Sequence, residues 1–131
     1  DYLISAAVSL ILAQRLARKT CPNCRVPDED ITPKALADFG FTVEQASRAK
    51  VQKGEGCSQC KDSGYKGRMG IYEILSVSKP IKEAILRKAT TPELKEIAMK
   101  EGFRTMQDMG RELILTGDLN FREFDRVLSS E

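Results

Sequence analysis

Histidine is missing from all 131 residues of the chain. Its absence removes every triad built on an imidazole, every imidazole metal ligand and the usual switch at neutral pH. Long hydrophobic runs are missing too. The longest, around Leu3 to Ala13, is interrupted by Ser5 and Ser9 and ended by Gln14-Arg15. It is too short to span a bilayer, and it lacks the basic start and cleavage site of a secretion signal. No strong charge of either sign is present. A net charge of +2 gives no general pull toward nucleic acid or anionic lipid, and the basic residues are not interleaved with aromatics as in a nucleic-acid binder. No Gly-x4-Gly-Lys-Ser/Thr phosphate loop occurs, and no serine or cysteine nucleophile is paired with a base. Catalytic residues are therefore expected to be none. Asp28, Glu29 and Asp30 read as a solvated loop.

What is present is ordinary for a globular protein, 41% apolar and 31% charged. Against that background four cysteines stand out, in two pairs: Cys21-Pro22-Asn23-Cys24 and Cys57-Ser58-Gln59-Cys60. Thirty-two residues separate the pairs, and no other cysteine exists. Two C-x2-C turns brought face to face make a closed four-thiolate cage, the usual structural zinc site. Cys21, Cys24, Cys57 and Cys60 are the expected ligands of a structural Zn2+. With all four positions filled by protein, such a metal cannot hold a catalytic water. Lys19, Arg25, Lys61, Lys66 and Arg68 flank the cysteines and are expected to offset the cage's negative charge.

The periodicity predicts a mostly α chain with a small β element, an α+β fold. Residues 3–18 read as one buried helix, apolar all round, whose polar end carries Gln14, Arg15, Arg18 and Lys19. Thr32-Pro33 opens a short helix that Gly40 closes. Thr42 with Gln45 suggests a capping box for a second. Residues 50–53 suggest a strand. The three glycines Gly64, Gly67 and Gly70 read as a tight turn beside the cage, leading into a strand over 71–77. Four helices then follow, opened by Ser78, by Thr91-Pro92, by Thr105 and by Asn120 with Glu123 as its capping-box partner. The expected organisation is residues 1–20 as the end of another domain, 21–77 as a tetracysteine subdomain and 78–131 as a four-helix module. The first residue is Asp1, and the sequence after it already reads as helix interior, so the chain is expected to be cut from a longer one.

The order of these features resembles a known family. The stretch Leu12-Ala13-Gln14-Arg15-Leu16-Ala17-Arg18, the two cysteine pairs around a helical insert, and Gly64-Tyr65-Lys66-Gly67-Arg68-Met69-Gly70-Ile71-Tyr72-Glu73 before four closing helices resemble the C-terminal part of the bacterial secretion ATPases. These motors drive type IV pilus assembly and type II secretion, and the resemblance covers essentially the whole chain. Ile71-Tyr72-Glu73 tilts it toward the pilus extension motor. The resemblance implies a hexameric ring whose RecA-like core binds ATP and Mg2+ upstream of Asp1. Residues 1–20 would then be the last helix of that core. The implied partners are the rest of the subunit, neighbouring subunits and an inner-membrane platform protein. No nucleic acid and no direct membrane insertion are implied, and the expected location is cytoplasmic, peripheral at the inner membrane. This chain alone would be inactive. Gln14 and Arg15 could approach the nucleotide or a subunit interface, or be plain surface residues. A different reading of the same residues is a stand-alone zinc-stabilised interaction module with no link to ATP.

Overall fold

A computed structural model of the chain describes residues 10–128. The described residues form an α+β fold of four strands and six helices. In chain order these are β1 (Leu10–Thr20), β2 (Arg25–Pro27), α1 (Pro33–Asp38), α2 (Val43–Arg48), β3 (Gln52–Gly54), β4 (Tyr65–Ser76), α3 (Lys79–Leu86), α4 (Thr91–Lys100), α5 (Met106–Thr116) and α6 (Phe121–Leu128). β1 lies beside β4, and β2 pairs with β3 antiparallel in the register Arg25↔Gly54, Val26↔Lys53 and Pro27↔Gln52.

The first element corrects the expectation of a helix over 3–18. From residue 10 onward the backbone is a strand; residues 3–9 lie outside the described residues. The physical reason is that a stretch apolar on all sides carries no clear period, so a helix stripe and a strand alternation fit it equally well. From Leu12 the burial alternates: Ala13, Arg15, Ala17 and Lys19 are covered, while Leu12, Gln14, Leu16 and Arg18 are exposed. Pairing with β4 outweighs the helix preference of Leu, Ala, Gln and Arg. Residues 10–20 are thus a strand and not part of a closing helix. β4 is also longer than expected, beginning at Tyr65 within the glycine motif. Gly64 and Gly67 take φ of 82° and 81°, a region open to glycine, whereas Gly70 needs no such conformation.

The helix starts are largely as expected. The Thr32 hydroxyl accepts from Ala35 N–H at 3.2 Å, with Pro33 opening the helix, and Gly40 at φ 92° lets the chain leave it. Thr42 and Gln45 form both halves of a capping box, each bond 3.0 Å. Thr90, one residue before the expected opener, caps α4 through Glu93 N–H. Ser78 precedes α3 but makes no side-chain cap, its hydroxyl donating to Glu101 at 2.7 Å.

The chain divides into two compact units. One takes β1 through Gln14 together with Tyr72–Thr105. Its core is Val77, Ile81 and Ala98, with Leu75, Ile85, Leu94, Ile97 and Phe103 packed around them. The other takes Arg15–Ile71 and the chain from Met106. The four closing helices expected over 78–131 are present, α3 and α4 within one unit and α5 and α6 within the other. The reason for the division is side-chain traffic between the cysteine-bearing insert and the last two helices. Phe39 meets Phe121 edge-on at 4.6 Å between ring centroids, Arg111 donates to the Phe39 carbonyl at 3.2 Å, and Arg25 pairs with Asp118 at 3.3 Å. At the α5–α6 contact an added Cβ on Gly110 would fall 2.6 Å from Leu128 and 2.8 Å from the Phe124 ring, so only glycine allows this approach without repacking.

Candidate metal centre

The second unit brings all four cysteines together. Cys21 leaves the end of β1, Cys24 precedes β2, and Cys57 and Cys60 lie in the turn that leads into β4. The four sulfurs lie within 4.8 Å of one another. Sγ–Sγ separations are 3.8 Å for Cys21–Cys57, 3.8 Å for Cys24–Cys60 and 3.6 Å for Cys57–Cys60. Four sulfurs about 2.3 Å from a tetrahedral zinc ion would be spaced by about 3.8 Å. The cage therefore has the size and donor set of a four-thiolate zinc site, and none of the four is in a disulfide.

Its supports are backbone groups. Gly56 N–H points to Cys24 Sγ at 3.3 Å, Cys57 N–H to Cys60 Sγ at 3.2 Å and Gly64 N–H to Cys60 Sγ at 3.2 Å. Such donors orient thiolates and lower their charge density. The basic side chains expected to serve the sulfurs are employed elsewhere where the structure shows their contacts: Arg25 holds Asp118 and the Thr116 carbonyl. Gly54 and Gly64 set the shape. Cys21 N–H donates to the Gly64 carbonyl at 2.9 Å, and a Cβ on Gly54 would lie 2.1 Å from that same oxygen. The two strand ends meet through bare backbone.

Without metal the thiols are unequal. Burial pushes Cys24 up to about 12 despite the Gly56 N–H. Burial would also raise Cys60, but N–H groups of Gly64 and Cys57 bring it down to about 6. Cys57 is lowered, chiefly by the Asn23 side chain. A metal entering near neutral pH would therefore displace protons, at least from Cys24.

The other two sequence candidates are separate from the cysteines in role. Gln14 is exposed on β1. Arg15 donates from Nη1 to the Val127 carbonyl at 2.5 Å, a cation at the C-terminal end of α6.

Sequence reasoning missed a second polar centre. Glu123 is wholly buried. Its carboxylate accepts Arg18 N–H at 2.6 Å, the Arg18 guanidinium at 3.1 Å, and both Nε and Nη2 of Arg126 at 2.7 Å. Burial alone would raise its pKa, but the hydrogen bonds from Arg126 and Arg18 hold it at about 2. Its own N–H caps α6 through Asn120 Oδ1 at 2.7 Å, so the Asn120 cap was expected while the carboxylate's engagement with Arg18 was not. A signal was available: Glu123 falls beside Phe124 and Val127 on the apolar face of α6, where an unpaired carboxylate would be costly.

Sequence comparison finds relatives for the chain. Residues 1–126 match the family model described as type II/IV secretion system protein. The type IV pilus assembly ATPase PilB of Myxococcus xanthus is 34% identical over 122 residues, covering 93% of this chain and 22% of that protein. PilB of Thermus thermophilus is 37% identical over 93% of this chain and 14% of its own length. The type II secretion system protein E of Aeromonas hydrophila is 32% identical over 96% of this chain and 24% of its own length. The chain thus spans between 14% and 24% of the length of these relatives.

Proposed function

The chain belongs to the type II/IV secretion system protein family, and on that premise we propose that it is a zinc-stapled segment of a motor ATPase serving pilus assembly or type II secretion. The observation that carries this reading is the match to pilus assembly ATPases across 93% of the chain, cysteine cage included in the matched region. The ATP and Mg2+ site would lie in the parent protein upstream of Asp1, in a ring of identical subunits, since this chain has no phosphate loop. No described helix is long and apolar enough to cross a membrane. In this reading the motor works in the cytoplasm and meets the inner membrane through a platform protein.

In this reading Zn2+ held by Cys21, Cys24, Cys57 and Cys60 is structural. It fastens the end of β1 to the turn before β4, and Phe39, Arg111 and Arg25 carry that rigidity to α5 and α6. A piece locked in this way can transmit displacement from a core to a partner instead of absorbing it. The sheet Ile71-Tyr72-Glu73 stretch favours the pilus branch. The test is a strain in which Cys21, Cys24, Cys57 and Cys60 are replaced by serine in the encoded parent protein. Loss of surface pili is expected. Loss of protein secretion with pili intact would support the motor reading and assign the other branch. Retention of both would refute it.

A further inference from the structure

Three arginines of the second unit converge on one surface hollow. A cavity of about 480 Å³ is lined by Leu16, Ala17, Arg18, Arg68 and Arg126. A second hollow of about 270 Å³ shares Arg18 and Arg68 and continues past Ser63, Tyr65 and Gly67. We propose that this groove is a binding site for a phosphate dianion, either free or as the terminal group of a larger ligand such as a nucleotide.

Arg18, Arg68 and Arg126 bring three positive charges, and among the described residues that line the groove or bond these arginines the carboxylate is Glu123, which is wholly buried. Three against one leaves an excess of positive charge among those described residues. Glu123 grips Arg126 through Nε and Nη2 and Arg18 through Nε and Nη2, so both guanidinium planes are fixed while Nη1 of each stays outside the clasp. Tyr65 fixes Arg18 from the other side, its ring centroid 4.0 Å from the guanidinium carbon. Side-chain freedom that an exposed arginine normally loses on binding is lost here on folding instead. Arg68 is exposed on β4, and its side chain makes no hydrogen bond or ion pair among the described residues, leaving its whole fork available. Guanidinium groups donate to phosphate oxygens, and two fixed Nη1 donors beside one free fork match a tetrahedral dianion better than a planar, singly charged carboxylate.

The test uses the 131-residue chain with inorganic phosphate, pyrophosphate, ATP and acetate as probes, read by titration calorimetry and by tyrosine fluorescence, since the chain has three tyrosines and no tryptophan to mask Tyr65. Saturable binding of phosphate and pyrophosphate is expected, weakening steeply with salt and falling about tenfold in Arg68→Ala. Arg68 has no folding role to lose, so this variant should keep the wild-type circular dichroism spectrum, and Arg68→Lys should bind in between. ATP binding tighter than pyrophosphate identifies a nucleotide as the source; equal binding identifies the free anion. The proposal is overturned by the absence of saturable binding in the millimolar range, by acetate binding as well as phosphate, or by Arg68→Ala binding like the wild type.

Discussion

Replacing Gly54 by alanine isolates the close backbone approach that shapes the cysteine cage. The new Cβ would sit 2.1 Å from the Gly64 carbonyl oxygen and 2.7 Å from the Gly64 carbonyl carbon and Cα. Relief needs about an ångström of backbone movement, and neither side is loose. Gly54 is paired with Arg25 across β2–β3, while Gly64 accepts from Cys21 N–H at 2.9 Å and donates to Cys60 Sγ at 3.2 Å. Overpacking into well-packed structure costs about 1–3 kcal/mol, and this contact is with backbone, so Gly54→Ala should fall near 3 kcal/mol. Gly64→Ala meets the Gly54 carbonyl at 2.5 Å and adds a left-handed φ of 82°, which costs an alanine about 1–2 kcal/mol more. Gly102→Ala is the control. Its φ is 89° but nothing lies within 4 Å, so it should lose only the conformational part, about 1–2 kcal/mol. Urea unfolding of the zinc-saturated chain measures the stabilities, and chelator competition measures the metal affinity. Gly54→Ala and Gly64→Ala should weaken both, whereas Gly102→Ala, in the other unit, should leave metal affinity unchanged. Gly54→Ala no more destabilising than Gly102→Ala, with full zinc affinity, would refute the argument.

Four further outcomes are expected. Cys57→Ser should purify without a full complement of zinc and lose several kcal/mol of stability, because structural zinc binding is folding energy; elemental analysis with a thermal melt decides it, and retained zinc with an unchanged melt would contradict the cage. Zinc binding near pH 7 should release protons, seen as a calorimetric heat that varies with the ionisation enthalpy of the buffer, since the Cys24 thiol at about 12 is protonated there. Glu123→Gln should cost about 1–3 kcal/mol above pH 5, and the gap to the wild type should close on acidification. The sign follows from a folded pKa near 2 against an ordinary 4.5: the carboxylate's contribution is complete above the ordinary value and is lost as pH falls toward 2, so a gap that widened in acid would be inconsistent with it. A double-mutant cycle of Phe39→Ala and Phe121→Ala should show about 0.5–1.5 kcal/mol of coupling in urea unfolding, the edge-to-face contribution; additivity would mean that the insert is not fastened to α6 through these rings.

Features decided by local chemistry were legible in the sequence. The cage could be read from C-x2-C spacing because a tetrahedral metal dictates that spacing. The caps at Thr32, Thr42 and Asn120 could be read because each depends on a bond made three residues away. Ambiguity entered where a long-range partner decides. Leu12 to Arg18 is a good helix former in isolation and a strand beside β4, and no property of those seven residues names the partner. The same holds for the division of the closing helices, which turns on Phe39 and Arg111, 72 residues apart in sequence, meeting at one carbonyl.

Glu123 shows how such a long-range partner can still leave a local trace. A carboxylate at an inward position of an amphipathic helix is stable only if a cation or N–H reaches it. Arg126, one helical turn on, is a local candidate; Arg18, 105 residues away, is not. Yet Arg126 alone would leave part of the carboxylate, buried on the apolar face of α6, without donors. The pattern Glu-x2-Arg on an apolar face therefore implies a second donor from elsewhere, and β1 supplies both a backbone N–H and a guanidinium from one residue. That double use of Arg18 joins β1 to α6 and, by leaving two guanidinium groups fixed in place beside Arg68, creates the groove for which a phosphate ligand is proposed.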